Sequence, residues 1–130
     1  MAEIMARVHY LKRSHGEAVL KCYDNTSSPT PIDISLSDLV ADGETFDANT
    51  AFVSVKELFW GAKVGKQIDI TRKDPDSDDT HGHYYLVNTG SYNFDGFVDD
   101  VYPDWNIRIT ADGPFHVILK LNKTSGYTKT

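Results

Sequence analysis

Apolar and polar residues alternate with period two along much of this chain. In IDISL, Ile32, Ile34 and Leu36 share one face while Asp33 and Ser35 take the other. KQIDITR sets Ile68 and Ile70 against Gln67, Asp69 and Thr71, and WNIRIT sets Trp105, Ile107 and Ile109 against Asn106, Arg108 and Thr110. FHVILKL places Phe115, Val117, Leu119 and Leu121 on one side. Successive side chains of an extended strand point to opposite faces of a sheet, so this alternation predicts half-buried strands. ARVHYLKR and EAVLKCYD flank Ser14, His15 and Gly16, which predicts a tight hairpin. AFVSVKELFW is strand-like, but its alternation breaks near Lys56 and Glu57, as a bulge would break it. HYYLVNT and SYNFDGFV straddle Gly90, a predicted turn. About eight or nine strands, mostly separated by turn residues at short intervals, predict an antiparallel sandwich or barrel.

The signal for helix is thin. SLSDLVADGE has room for one turn, capped by Ser37 and ended by Gly43. Residues 41–50 read as a polar loop and residues 73–82 as a second, more exposed one. GAKVGK reads as a hairpin turn: its glycines precede a lysine, but one residue short of the phosphate-loop spacing and ahead of a strand rather than a helix. No apolar pattern continues after Leu121, so the tail is expected to form an arm, mobile or bound to a partner. No repeat of solenoid period is present.

Composition narrows the function classes. The chain has 130 residues, the size of one domain with one core. Acidic residues outnumber basic ones 19 to 13 for a net charge of −6, which disfavours nucleic acid as a partner because phosphate neutralisation needs a basic surface. No apolar run approaches a membrane span, and the opening MAEIMARVHY lacks the apolar core of a signal peptide. Neither membrane association nor export by the general route is therefore expected. The lone cysteine, Cys22 in AVLKCYD, is expected to be a buried, inert thiol in a protein assembled in a reducing compartment.

Candidate chemistry concentrates in DPDSDDTHGH, where Asp74, Asp76, Asp78 and Asp79 stand beside His81 and His83. Alternating carboxylates open a calcium loop, but Asp79 stands where the sharp turn needs glycine, and Tyr85 stands where a bidentate glutamate belongs. Two histidines one residue apart on a strand can share a metal, yet no further cysteine or histidine lies close in sequence. A solvated turn that keeps a strand edge from aggregating accounts for the same residues. Asp99 and Asp100, with Asp95 and Asp104 nearby, form another acidic group, while Asn93, Asp95 and Gly96 read as turn chemistry. No nucleophile–base pair, nucleophile elbow or dinucleotide fingerprint is present, so no catalytic, cofactor-binding or metal residue is assigned and no cofactor is expected. Trp60, Trp105, Tyr84, Tyr85, Tyr92, Tyr102 and Phe97 suit core packing and subunit contacts, and rings on a sheet face also suit a sugar platform. Asn25 and Asn122 begin glycosylation sequons that carry no weight in an unsecreted protein.

The order of segments resembles small virion structural proteins of tailed bacteriophages. The resemblance runs through VKELFWGAKVGKQIDITRKD, HYYLVNTGSYNFDGF and NIRITADGPFHVILKLNK, on Trp60 and Gly61, on Ile68, Ile70 and Arg72, on Gly90, Ser91, Phe94 and Gly96, and on the strand from Val117 to Lys123. The opening ARVHYLKRSHGEAVLKCYD is similar as well, so most of the chain is covered. What the resemblance implies is a single jelly-roll-like β-sandwich over residues 1–130, without catalytic activity, serving as a capsid decoration, neck or tail-associated component. Its partners would be other virion proteins and copies of itself as a homo-oligomer. It would assemble in the host cytoplasm and reside in the virion. Met1–Arg7 and Thr124–Thr130 are then expected to serve as inter-subunit arms, and deletion of the tail is expected to spare the fold. A carbohydrate-binding module for host-surface recognition is the alternative, resting on the aromatics and the acidic loop.

Overall fold

The computed structural model describes residues 7–94 and 102–129. Eleven strands carry these residues: β1 (Arg7–Ser14), β2 (Glu17–Asp24), β3 (Ile32–Ile34), β4 (Glu44–Phe46), β5 (Phe52–Ala62), β6 (Gln67–Lys73), β7 (Thr80–Val87), β8 (Thr89–Asn93), β9 (Asn106–Ala111), β10 (Phe115–Ser125) and β11 (Tyr127–Lys129). The only helical piece among the described residues is a 3-10 turn, Leu36–Leu39. Every pairing is antiparallel. One sheet runs β1-β2-β10-β5-β8, a second runs β3-β9-β6-β7, and β4 and β11 form a two-stranded ribbon. The protein is an all-β antiparallel sandwich.

The alternation read from the sequence sets the core. Leu20, Cys22, Leu58, Val117, Leu119 and Leu121 from the five-stranded sheet meet Ile32, Ile34, Ile68, Ile70, Ile107 and Ile109 from the four-stranded sheet. The β1–β2 hairpin turns at His15-Gly16, with Gly16 at φ 92°, a conformation that glycine adopts without steric cost. The predicted bulge is present: Lys120 pairs with Glu57 while Leu121 pairs with Val55, which leaves Lys56 as the extra residue. It re-phases β5 so that Val53 and Val55 before it, and Leu58 after it, all point inward.

Several expectations are corrected. The strands exceed eight or nine because two of the three-residue strands, β4 and β11, lie in segments expected to be loop and arm. β4 sits inside the presumed polar loop 41–50. In the tail, β10 runs on to Ser125, and Tyr127 of β11 is buried, with its hydroxyl donating to the Leu36 carbonyl. Its ring packs 5.3 Å from that of Phe46. Residues 124–129 are therefore folded onto their own chain, and a truncation there would take a ring out of the core. Of Met1–Arg7, residues 1–6 lie outside the described residues, as does Thr130.

The chain turns not at Gly90 but at Asn88, which takes φ 59° and passes the strand from the four-stranded to the five-stranded sheet. Asparagine tolerates this left-handed conformation better than other side chains do. Gly90 lies within β8 opposite Trp60, and a Cβ there would stand 2.6 Å from the indole. GAKVGK is a turn, but it joins strands of different sheets rather than closing a hairpin. The 3-10 turn is entered at Ser35, not Ser37: the Asp38 carboxylate accepts the Ser35 amide at 3.3 Å, and the Asp38 amide donates to the Ser35 carbonyl at 3.0 Å.

Candidate functional site

The acidic turn between β6 and β7 is closed on itself. The Asp74 carboxylate accepts the Asp76 amide at 2.9 Å and the Ser77 hydroxyl at 3.1 Å, and the Asp74 amide donates to the Asp79 carbonyl at 3.0 Å. The Lys73 ammonium donates to the carbonyls of Asp74 and Ser77. These are the bonds of an aspartate-nucleated turn. Among the described residues no three carboxylate, histidine or cysteine side chains converge as metal ligands would. Of the residues that suggest a cation loop in sequence, Asp74, Asp76, Asp78, Asp79 and His81 are thus not brought together around a common point, and the His83 side chain lies outside the described residues. Asp95, Gly96, Phe97, Asp99 and Asp100 lie outside the described residues.

His81 stacks instead on Tyr102 at 4.8 Å, and Tyr102 stacks on Trp105 at 4.1 Å. Trp105 does not share the inner face with Ile107, because it precedes β9 and stays half-buried. The three rings form a partly exposed cluster next to the acidic turn. A second ring series runs Trp60, Tyr92, Phe94, Tyr84, with neighbouring centroids 5.3–6.3 Å apart, from the five-stranded to the four-stranded sheet. The Trp60 indole N–H donates to the Val87 carbonyl at 3.0 Å, holding the β7–β8 corner.

Two buried cations serve the fold. Arg72 extends inward from β6 and donates to the carbonyls of Val53, Pro103 and Trp105. Lys123 donates to the Leu39 carbonyl at 2.9 Å and to the Glu44 carboxylate at 2.6 Å. The other Glu44 oxygen lies 2.7 Å from His15 Nδ1. Alternation places Thr71, on the opposite side of β6, on the polar face. Thr71 is buried too, where the β6–β7 register shifts between Ile70 and Arg72.

The outer faces of the sandwich differ in charge. On the five-stranded sheet the cross-strand rows are His9–Lys21–Ile118–Phe59–Ser91 and Lys12–Val19–Lys120–Glu57–Asn93. Lys12 and Lys56 share Glu17 at 3.0 and 3.5 Å, and Lys120 lies 3.6 Å from Glu57. The Lys12 bond, despite the cost of desolvation, holds the Glu17 carboxyl below its ordinary pKa. On the four-stranded sheet Asp33 meets Arg108 in a two-pronged pair at 2.7 and 3.0 Å. That pair draws the Asp33 carboxyl down, and Asp78 from the acidic turn adds to the field at Arg108. Asp69 pairs in register with Tyr85, and Gln67 with Val87, on the same outer face. Cys22 is buried as expected, and burial pushes its thiol up to about 12, so it stays protonated.

An open cleft of about 370 Å³ lies where the connections after β2, β5, β7 and β9 meet, lined in part by Tyr23, Asn25, Lys63 and His116. The His116 ring lies flat on Gly61, in space that a Cβ would occupy. The Asp24 carboxylate beside it is buried and already accepts the Thr26 amide at 2.9 Å. Compared with known families and curated proteins, the chain matches no family model and no curated sequence.

Proposed function

We propose that the protein is a non-catalytic structural component of a tailed-phage virion, a capsid decoration or neck or tail-associated part that binds other virion proteins. The observation that carries this reading is the strand order. With β1, β4 and β11 set aside, the sheets run β2-β10-β5-β8 and β3-β9-β6-β7. This reads as the order of a double-sheet jelly roll, an architecture that recurs in viral capsid domains. Folds are shared between unrelated functions, so the order counts together with the resemblance of the strand-and-turn segments and not alone. The surfaces fit such a role: large partly exposed rings and charged sheet faces are what protein contacts use. Mass spectrometry of gradient-purified particles tests the reading. The chain is expected among the virion proteins in a fixed copy number, and its absence from particles would overturn the proposal.

A second reading, glycan recognition at the host surface, draws on the stacked His81–Tyr102–Trp105 cluster, because jelly rolls also include lectins and exposed rings pack against sugars. On this reading Trp105→Ala removes binding on a glycan array by ~tenfold or more, the worth of a well-packed aromatic contact. A wild-type protein that binds no glycan at all would end it.

A further inference from the structure

We infer that the two outer faces of the sandwich bind each other, so that the basic five-stranded face of one copy seats on the acidic four-stranded face of the next. This deepens the structural role proposed above and rests on it, naming the partner as a second copy and the surfaces that meet. The five-stranded face carries Lys12, Lys21, Lys56 and Lys120 against Glu17 and Glu57. The four-stranded face carries Asp33 and Asp69 against Arg108 and Lys73, and the acidic turn with Asp74, Asp76, Asp78 and Asp79, which adjoins one of its ends, makes that side acidic. Opposite charge on opposite sides of one domain repels like faces and attracts unlike ones, which fixes both register and direction.

Each face also offers apolar surface for the centre of a contact. Phe59 is 44% exposed on the basic side, flanked across the strands by Ile118. Tyr85 and Val87 are 64% and 53% exposed on the acidic side, two residues apart on β7 and therefore side by side on its outer face. An apolar centre with a charged rim is the anatomy of a specific interface. Because the two faces are different patches, the contact is heterologous: repeated, it gives a stack or closes into a ring, and it does not stop at a symmetric dimer.

Sedimentation velocity of the purified full chain at low salt and at ~0.5 M salt tests this, since exposed charge pairs are largely screened at the higher value. The wild-type mass is expected to rise with concentration past that of a dimer at low salt and to fall back at high salt. Two double variants separate the faces: Lys21→Glu with Phe59→Glu, and Asp69→Lys with Tyr85→Lys, each checked for an unchanged circular dichroism spectrum and melting profile. Each alone is expected to associate at least ~tenfold more weakly than the wild type, and an equimolar mixture of the two to associate again, because each variant keeps the native face that the other has lost and the two reversed faces also match in charge. Two results would overturn the inference: a wild type that stays monomeric at every concentration, or an Asp69→Lys/Tyr85→Lys variant that associates as the wild type does, which would mean a symmetric contact between basic faces. A monomer that is nevertheless found in particles overturns only the self-contact and gives the basic face to a different virion protein. A chain that stacks but is missing from particles overturns the virion role instead.

Discussion

Replacing Arg72 by Met is expected to lower the unfolding free energy by about 3–5 kcal/mol, because it takes the donor from three carbonyls at once, one buried and two partly buried. Arg72 lies on β6 of the four-stranded sheet, yet its guanidinium crosses the core. It donates to the Val53 carbonyl of β5 at 2.9 Å, to Pro103 at 2.8 Å, and to Trp105 through two nitrogens at 3.0 and 2.6 Å. The Val53 amide in turn donates to the Pro103 carbonyl at 3.0 Å. One planar fork therefore fastens both sheets to the segment that leads into β9. Met fills similar volume but supplies no donor, and each buried carbonyl it leaves behind costs about 1–3 kcal/mol. Lys is expected to fall between the two, because one ammonium on a flexible stem cannot reach three carbonyls in fixed directions. Denaturant unfolding should show midpoints in the order Arg, Lys, Met with the slope unchanged, and a drop in melting temperature of about 10–20 °C for Met. A loss below ~1 kcal/mol would mean that backbone pairing alone holds this junction.

Arg72 also marks the limit of what alternation can show. The alternation in KQIDITR identified Ile68 and Ile70 as core and would have put Arg72 on the same inner face, but an isolated arginine at that phase gives no hint of the carbonyls awaiting it. Those acceptors lie on residues 53, 103 and 105, brought close only by the sheet packing. Several local signals were legible, namely the hairpin at Gly16, the bulge at Lys56 and the inward rows of β9 and β10, while the turn at Gly90 and the cap at Ser37 were each placed two residues off. Non-local signals were not legible. Alternation says that a strand has two faces, but not which strands share a sheet, so the charge difference between the outer faces could not be read from Lys21 or Asp69 alone. The short ribbon β4–β11 escaped for a related reason. Three residues hold too few positions for a period, and each strand is anchored by a single ring, Phe46 or Tyr127. At the candidate site the aromatics were visible as residues, while their grouping into His81–Tyr102–Trp105 depends on the segment ahead of β9 reaching past β6 to the start of β7.

Glu44→Gln is expected to cost about 3–5 kcal/mol at neutral pH, because it leaves the Lys123 ammonium buried without its counter-charge. Both side chains are almost fully buried, at 0% and 1% exposure, and the ammonium also lies 4.8 Å over the Tyr127 ring. The pair ties β10 to the ribbon and, through the Leu39 carbonyl, to the 3-10 turn, while His15 reaches the second Glu44 oxygen from the β1–β2 hairpin. Burial alone would raise the Glu44 pKa. Bonds from Lys123, the Ala41 amide and His15 outweigh it and hold the carboxyl below its ordinary value of 4.5. A folded-state pKa below the unfolded one stabilises the protein above the unfolded value, and that stabilisation fades as pH falls through the folded value. The stability gap between wild type and Glu44→Gln should therefore be full at neutral pH and shrink once pH drops below 4.5. Pairing Glu44→Gln with Lys123→Met removes the stranded charge, so the double variant should lose about 0.5–3 kcal/mol less than the sum of the two single losses. A double variant whose loss equals that sum would show that Lys123 is held by the Leu39 carbonyl and the Tyr127 ring rather than by Glu44. The ribbon would then depend on packing, and the acid sensitivity of the protein would have to come from the pairs at Asp33 and Glu17 in the two sheets.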